Sequence, residues 1–426
     1  MNQTKPGYRL TLLACALAVV VVGLGAFTRL VDAGLGCPDW PTCYGHVLWP
    51  DTHEEIAAAN AHPDFEHTPV ESHKTWPEQV HRLFASSLGL LGLILLGLSI
   101  RKRPEGHPWK ITVVLLAVLI GGTVARIVFG DLLDHYLWKM MAVYFLWLAY
   151  QYAREGTSTG QPVKLPAFIA GFLILQGLFG MWTVTLKLWP QVVTAHLLGG
   201  FTVFALLWLL SLRLRNRRWQ VRSHSKDAVQ ALRPLAAAAL VVVVCQIALG
   251  GWTTSNYAAV ACPDLPTCQG KWLPDMNFAD GFNITQHIGP NYLGGTMDNA
   301  ARIAIHYSHR LGALVTALVL LLLAYRLRRC GLDSLRKMSW VIVGVLTLQI
   351  ALGLGNVFFK FPLWIAVSHN LVGALLLLTM VTLNYGLHTI ELRPTGRDES
   401  GADGSGNNRR GRGVLDLSAK ELGELR

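Results

Sequence analysis

Four histidines carry the chemistry available to this chain. His81, His196, His309 and His369 each fall near one end of a long apolar run, two in each half of the sequence. An ionisable side chain inside a membrane span is costly and normally faces the bundle interior, as a ligand or proton relay. A single one is more often a hydrogen-bonded core residue. Four at a common depth on paired helices point instead to bis-histidine ligation of a haem within each half, pairing His81 with His196 and His309 with His369. Small residues beside the ligands, Gly199 and Gly200 in one half and Gly373 and Ala374 in the other, let helices and a flat macrocycle approach closely. His46, His53, His62, His67 and His73 have no regular ligand spacing and read as solvated loop residues.

The two halves differ at one position with chemical weight. Glu78 stands three residues before His81, on the same helical face, whereas His306 stands three residues before His309. A carboxylate at a haem edge can act as a base or stabilise developing positive charge. The plainer reading is an interfacial acid favoured by a helix N-terminus. Arg82 and Arg310 directly follow a candidate ligand; they fit haem propionates, or simply snorkel to the membrane interface. Lys187 and Lys360, at matched helix ends, carry the same two readings.

The elements that must hold these residues come as a duplication. Cys37-Pro38-Asp39-Trp40-Pro41-Thr42-Cys43 matches Cys262-Pro263-Asp264-Leu265-Pro266-Thr267-Cys268, and His81-Arg82-Leu83 matches His309-Arg310-Leu311. Leu175-Gln176, Gly180, Lys187, His196 and Gly200 match Leu348-Gln349, Gly353, Lys360, His369 and Gly373 in order and spacing. Between its two histidines the first half carries 55 extra residues, enough for two spans and coinciding with apolar segments 111–129 and 135–153. The expected fold is all-α: a polytopic membrane protein of two homologous four-helix transmembrane bundles in tandem plus an inserted helical hairpin. Residues 1–215 form the first half, with 111–153 as the inserted hairpin. Residues 216–392 form the second half, and 393–426 a disordered cytoplasmic tail. An even number of inserted helices keeps both halves in one orientation, with a pseudo-symmetry axis along the membrane normal.

Composition supports the membrane. Hydrophobic residues make up 52% of the 426 and charged ones only 15%, which excludes an ordinary soluble enzyme. About ten spans are expected, near 11–31, 80–100, 111–129, 135–153, 166–186, 192–211, 235–255, 305–325, 338–358 and 364–385. The net charge of +11 comes from cations clustered between apolar runs, at Arg101 to Arg103, Arg213 to Arg222 and Arg326 to Lys337; topology accounts for them without a nucleic-acid partner. By the positive-inside rule both termini are cytoplasmic, and segments 32–79 and 256–304 are external. Cys37 with Cys43, and Cys262 with Cys268, lie in those segments and read as structural disulfides, with a redox-active dithiol or a metal or thioether attachment as alternatives.

The external Cys-Pro-Asp-Trp-Pro-Thr-Cys, the Glu78-x-x-His81-Arg82 at the start of a span, the Gly180-Met181-Trp182-Thr183-Val184 stretch leading to His196 and their second-half counterparts resemble the haem A synthase family. The resemblance covers most of residues 8 to 390, and the inserted hairpin departs from the family's usual eight spans. It implies a membrane oxidoreductase that converts haem O to haem A, oxidising the C8 methyl to a formyl group for cytochrome oxidase with oxygen from water, with haem B as electron-transfer cofactor. It implies that His309 and His369 bind haem B, that His81 and His196 mark the substrate-haem site, and that Glu78 is the catalytic carboxylate. It further implies residence in the cell inner membrane, contact with lipid and with haem O, and a partner enzyme that forms haem O; an oligomer is left open. Two other readings use the same residues: a b-type di-haem cytochrome that carries electrons without altering a haem, and a carboxylate-bridged iron hydroxylase built on Glu78-x-x-His81.

Overall fold

The computed structural model describes residues 4–103, 105, 108–129, 134–155, 162–221 and 226–392. The expected tail, 393–426, lies outside them. In chain order the helices are α1 (Tyr8–Leu30), α2 (His53–Ala61), α3 (Ser72–Arg101), α4 (Trp109–Phe129), α5 (Asp134–Glu155), α6 (Lys164–Thr185), α7 (Pro190–Arg215), α8 (Lys226–Gln230), α9 (Arg233–Ser255), α10 (Phe278–Gly281), α11 (Asn299–Arg329), α12 (Asp333–Phe358) and α13 (Leu363–His388). Two-residue strands β1 (Gln220–Val221) and β2 (Glu391–Leu392) pair in parallel.

Nine helices among the described residues are long and apolar enough to cross a membrane, giving an all-α, multi-pass membrane protein. The tenth expected span exists as α5 but falls short in apolarity, since it carries Lys139, Gln151 and four tyrosines. At 30 and 31 residues, α3 and α11 begin well before the predicted spans. Their length of roughly 45 Å exceeds a hydrocarbon core of about 30 Å, so the first turns of both reach into the cysteine-containing loops.

Each half is a closed ring of four helices. In the first, α1, α3, α6 and α7 pack in that cyclic order, and in the second α9, α11, α12 and α13 do the same. The histidine-bearing helices, α3 and α7 or α11 and α13, are therefore diagonal. The halves join through α7 against α9, α1 against α13 and α7 against α13. Exchanging α1 with α9 and α7 with α13 reproduces that set of contacts, as a two-fold relation requires.

The buried apolar core shared by both halves includes Ala14 and Ala18 of α1, Leu207 and Leu210 of α7, Ala236 and Ala239 of α9, Leu320 of α11 and Leu383 of α13. On every helix its members lie on the cationic side of the histidine level. The histidines thus form a layer between that core and the loops. Matched turns set where the layer begins: Lys187 and Leu188 between α6 and α7, and Lys360 and Phe361 between α12 and α13, all adopt left-handed conformations. The Leu188 N–H donates to Thr183 O (2.8 Å) and the Phe361 N–H to Asn356 O (2.6 Å), a Schellman-type closure that starts α7 and α13 shortly before His196 and His369.

The inserted hairpin, α4 and α5, packs on the outer face of α6. Gly171 lacks the Cβ that would collide with the Tyr144 ring, whose hydroxyl donates to Ala167 O at 2.6 Å. Trp138 stacks on Trp182 with centroids 5.0 Å apart.

Candidate haem sites

His81 and His196 meet across the diagonal of the first bundle with ring centroids 6.3 Å apart and planes at 87°. Each of the four histidines faces a glycine on a neighbouring helix. A Cβ at Gly25 would sit 3.0 Å from the His81 ring, at Gly180 3.2 Å from His196, at Gly250 3.2 Å from His309 and at Gly353 3.1 Å from His369. The pattern repeats in both halves, so the four rings occupy equivalent niches. No group of three or more His, Cys, Asp or Glu among the described residues could hold a metal ion. Two imidazoles without a third protein ligand suit an iron whose remaining ligands come from a porphyrin, and they do not suit a carboxylate-bridged iron site.

Glutamines missed in reading the sequence accompany these rings. The Gln176 side-chain amide lies 3.0 Å from His196 Nδ1 and that of Gln246 3.1 Å from His309 Nδ1, while Gln349 approaches His369 Nε2 at 3.4 Å. The signal was present for Gln176 and Gln349, which match each other in the repeat one helix before their histidines. Gln246 has no such mate, because the corresponding residue of α1 is Val21.

Glu78 is buried, with 5% of its surface exposed, and both its oxygens are engaged. The Cys37 N–H donates to Oε2 at 3.0 Å, and the Arg82 guanidinium pairs with Oε1. Arg82 also donates to the carbonyls of Asp39 (2.9 Å) and Thr42 (2.8 Å). In the second half Arg310 donates to Thr267 O at 2.9 Å and Cys262 O at 2.7 Å, the mates of Thr42 O and of Cys37 O, which Arg82 reaches at 3.4 Å, and its Nε faces His306 Nε2 at 3.4 Å. The observed partners of both arginines, for which the sequence left propionate contact and snorkelling to the interface open, tie helix to loop.

Those loops are two copies of one module. Cys37 is disulfide-bonded to Cys43 and Cys262 to Cys268. Asp39 accepts from the Thr42 hydroxyl and from the N–H groups of Tyr44 (2.6 Å) and Gly45 (2.9 Å). Asp264 does the same with Thr267, Gln269 and Gly270, and these donors, Thr267 foremost, hold its carboxyl below the usual aspartate range. Beside the first module, burial pushes the Tyr44 phenol up to about 12 while its hydroxyl donates to Thr68 O.

One contact set has no counterpart in the repeat. The chain between α10 and α11 crosses over the first half, where the Tyr292 N–H donates to Lys187 O (3.0 Å), Trp189 Nε1–H to Gln286 O (3.0 Å) and Gln191 to Ile284 O (3.1 Å). The second half thereby covers the turn that leads into the His196 helix.

The COX15-CtaA family model, described as cytochrome oxidase assembly protein, matches residues 8–124 and 123–381. A protein of Shewanella oneidensis named heme A synthase is 42% identical over 370 residues, 87% of this chain and 93% of the relative. Proteins of the same name from Rhizorhabdus wittichii and Sphingopyxis alaskensis are 25% and 26% identical, over 88% and 84% of this chain and 92% and 86% of theirs.

Proposed function

The chain belongs to the COX15-CtaA family of cytochrome oxidase assembly proteins, and from that premise we propose that it is a haem A synthase, a membrane oxidoreductase that converts haem O to haem A by oxidising the C8 methyl to a formyl group. The observation that carries the division of labour is the unequal pair Glu78 and His306. The half with a fixed buried carboxylate does the chemistry on a haem held between His81 and His196, and the other half passes electrons.

His309 and His369 would hold the haem B cofactor. Their niches suit it: the glycines Gly250 and Gly353 face the two rings, and among the described residues the buried Oε1 atoms of Gln246 and Gln349 and Nδ1 of His369 have no hydrogen-bond partner. When bound, haem B supplies one-electron acceptance. Around the substrate, Glu78 lies one helical turn from His81. Withdrawing electrons and hydrogen from a methyl carbon develops positive charge beside the ring, and an anion already fixed in place stabilises that charge without reorganising. Arg82 and the Cys37 N–H do the fixing, so Glu78 acts through its position and charge. The cysteine loops are external and both termini cytoplasmic, an orientation supported by the cations gathered at the opposite helix ends; the membrane in this reading is the inner membrane. A haem O-forming enzyme supplies the substrate.

Pigment extraction from the purified full-length protein tests this reading. Haem A or haem O recovered beside haem B supports the synthase, and haem B alone supports an electron-carrying cytochrome.

A further inference from the structure

Three of the four candidate ligand rings are met by the side-chain amide of a half-buried glutamine, and the fourth is not. Gln246 reaches from α9 to His309 Nδ1 and also donates to His309 O at 3.0 Å; Gln176 reaches from α6 to His196 in the same way. Each needs a glycine to make room. A Cβ at Gly312 would lie 2.3 Å from Gln246 Oε1, and one at Gly199 2.0 Å from Gln176 Oε1. Gln349 holds His369 more loosely, and a Cβ at Gly373 would lie 3.4 Å from Gln349 Nε2.

His81 occupies the matched niche on α3 with neither half of this device. Val21 stands where α9 has Gln246, and Phe84 stands where α11 has Gly312. Among the described residues no hydrogen bond reaches the His81 ring, which faces Gly25. The Oε1 atoms of all three glutamines are buried and have no partner among the described residues. Since amide oxygen and nitrogen exchange by a half-turn of the side chain, each amide can serve the nearby ring nitrogen as donor or acceptor. Only as acceptor does it serve a ligand: with the bond to the histidine carbonyl given up in that half-turn, the amide oxygen takes the proton of one ring nitrogen, fixes the tautomer and plane of the ring, and leaves the other nitrogen's lone pair for iron.

We propose that Gln176, Gln246 and Gln349 are positioning residues for their histidines, and that the missing amide beside His81 makes it the ligand that lets go when haem is exchanged. The proposal rests on the synthase reading, in which the first-half haem is substrate and must leave as product while the second-half haem stays. The duplicated fold would then carry its functional difference in Val21 and Phe84 as well as in Glu78.

The test is haem transfer from the detergent-solubilised full-length protein to apomyoglobin, with released haem identified by extraction. Haem O or haem A leaves the wild-type protein faster than haem B. Gln246→Leu releases haem B about tenfold faster, the scale on which metal sites respond to loss of an outer-sphere partner. Gln246→Glu restores retention and lowers the haem B midpoint potential, a change that simple loosening of packing does not produce. Val21→Gln with Phe84→Gly, which installs the missing device, slows release of haem A by a similar factor. Unchanged haem B release from Gln246→Leu, or unchanged haem A release from the Val21→Gln, Phe84→Gly chain, overturns the proposal; if Gln246→Leu does not accumulate, the latter chain decides. Absence of any haem A from the wild-type protein would instead sink the synthase reading, with the haem B measurements still deciding the role of Gln246.

Discussion

The backbone N–H of Cys37 donates to Oε2 of Glu78 at 3.0 Å, joining a disulfide loop to a carboxylate 41 positions away in the chain. Neither residue is free to move without the other, and Arg82 locks the pair by binding Glu78 and the carbonyls of the same loop. The second half repeats the loop and its arginine but puts His306 where the acid would be.

Glu78→Gln preserves the shape of this unit and removes its charge. The variant is expected to retain haem B and to lose haem A formation by about 10²–10³, the usual scale for deleting one preorganised electrostatic contact. Extracted pigments report both quantities at once. Normal haem A from this variant would show that the carboxylate has only a structural part.

His309→Ala or His369→Ala removes one of the two ligands proposed for the second-half site, and either is expected to strip haem B from the purified protein. His81→Ala is expected to keep haem B and lose the substrate haem. The absorbance of the reduced protein and the extracted haem identify which site was emptied, and loss of haem B from His81→Ala would reverse the assignment of the halves.

Much of this arrangement was legible because duplication writes each element twice. The matched cysteine motifs, the paired histidines and the 55-residue excess of the first half fixed two bundles and a hairpin before any coordinates. Gln246 was not legible, because a glutamine in an apolar run whose repeat mate is Val21 carries no signal until the fold sets it against His309. Nor was the crossing of residues 284–292 over the first half, where the side chains of Trp189 and Gln191 reach backbone carbonyls of Gln286 and Ile284 and the Tyr292 N–H reaches Lys187 O, so that no residue pattern in the crossing segment itself marks it. The deficit of apolarity in α5 is written in its four tyrosines, Lys139 and Gln151, which the length of a span does not reveal.

The inserted hairpin supplies none of the four histidines and packs mainly on the outer face of α6, with Leu96 of α3 in the same apolar cluster. Deleting about residues 104–158 and joining the flanks is expected to leave haem B bound and the topology intact, because lipid can take the place of α4 and α5 against an apolar helix face. First-half haem should fall partway, since Trp182, which loses its stack with Trp138, is two residues from Gly180 and the His196 niche. Complete loss of both haems from a well-inserted deletion would show that the hairpin builds the site. Tyr144→Phe is the milder form: losing its bond to Ala167 O should cost about 0.5–1.5 kcal/mol in thermal stability with little effect on haem content.

The two disulfides close identical rings, so removing either should cost a similar stability, roughly 2–2.5 kcal/mol on the chain-entropy model. Their consequences for catalysis should differ. In Cys262→Ala with Cys268→Ala, the loop keeps its Asp264 network and its bonds to Arg310, and nothing it holds belongs to the reacting half. Yield should fall while haem A formed per bound haem B stays near that of the wild type. In Cys37→Ala with Cys43→Ala, the loosened loop carries the N–H that fixes Glu78, so haem A formed per bound haem B should fall several-fold even in the fraction that folds. Normalising haem A to haem B separates the two effects. Equal ratios in the two double variants would mean that the Cys37 N–H contributes nothing to placing the carboxylate, and the link between loop and catalysis would have to be abandoned.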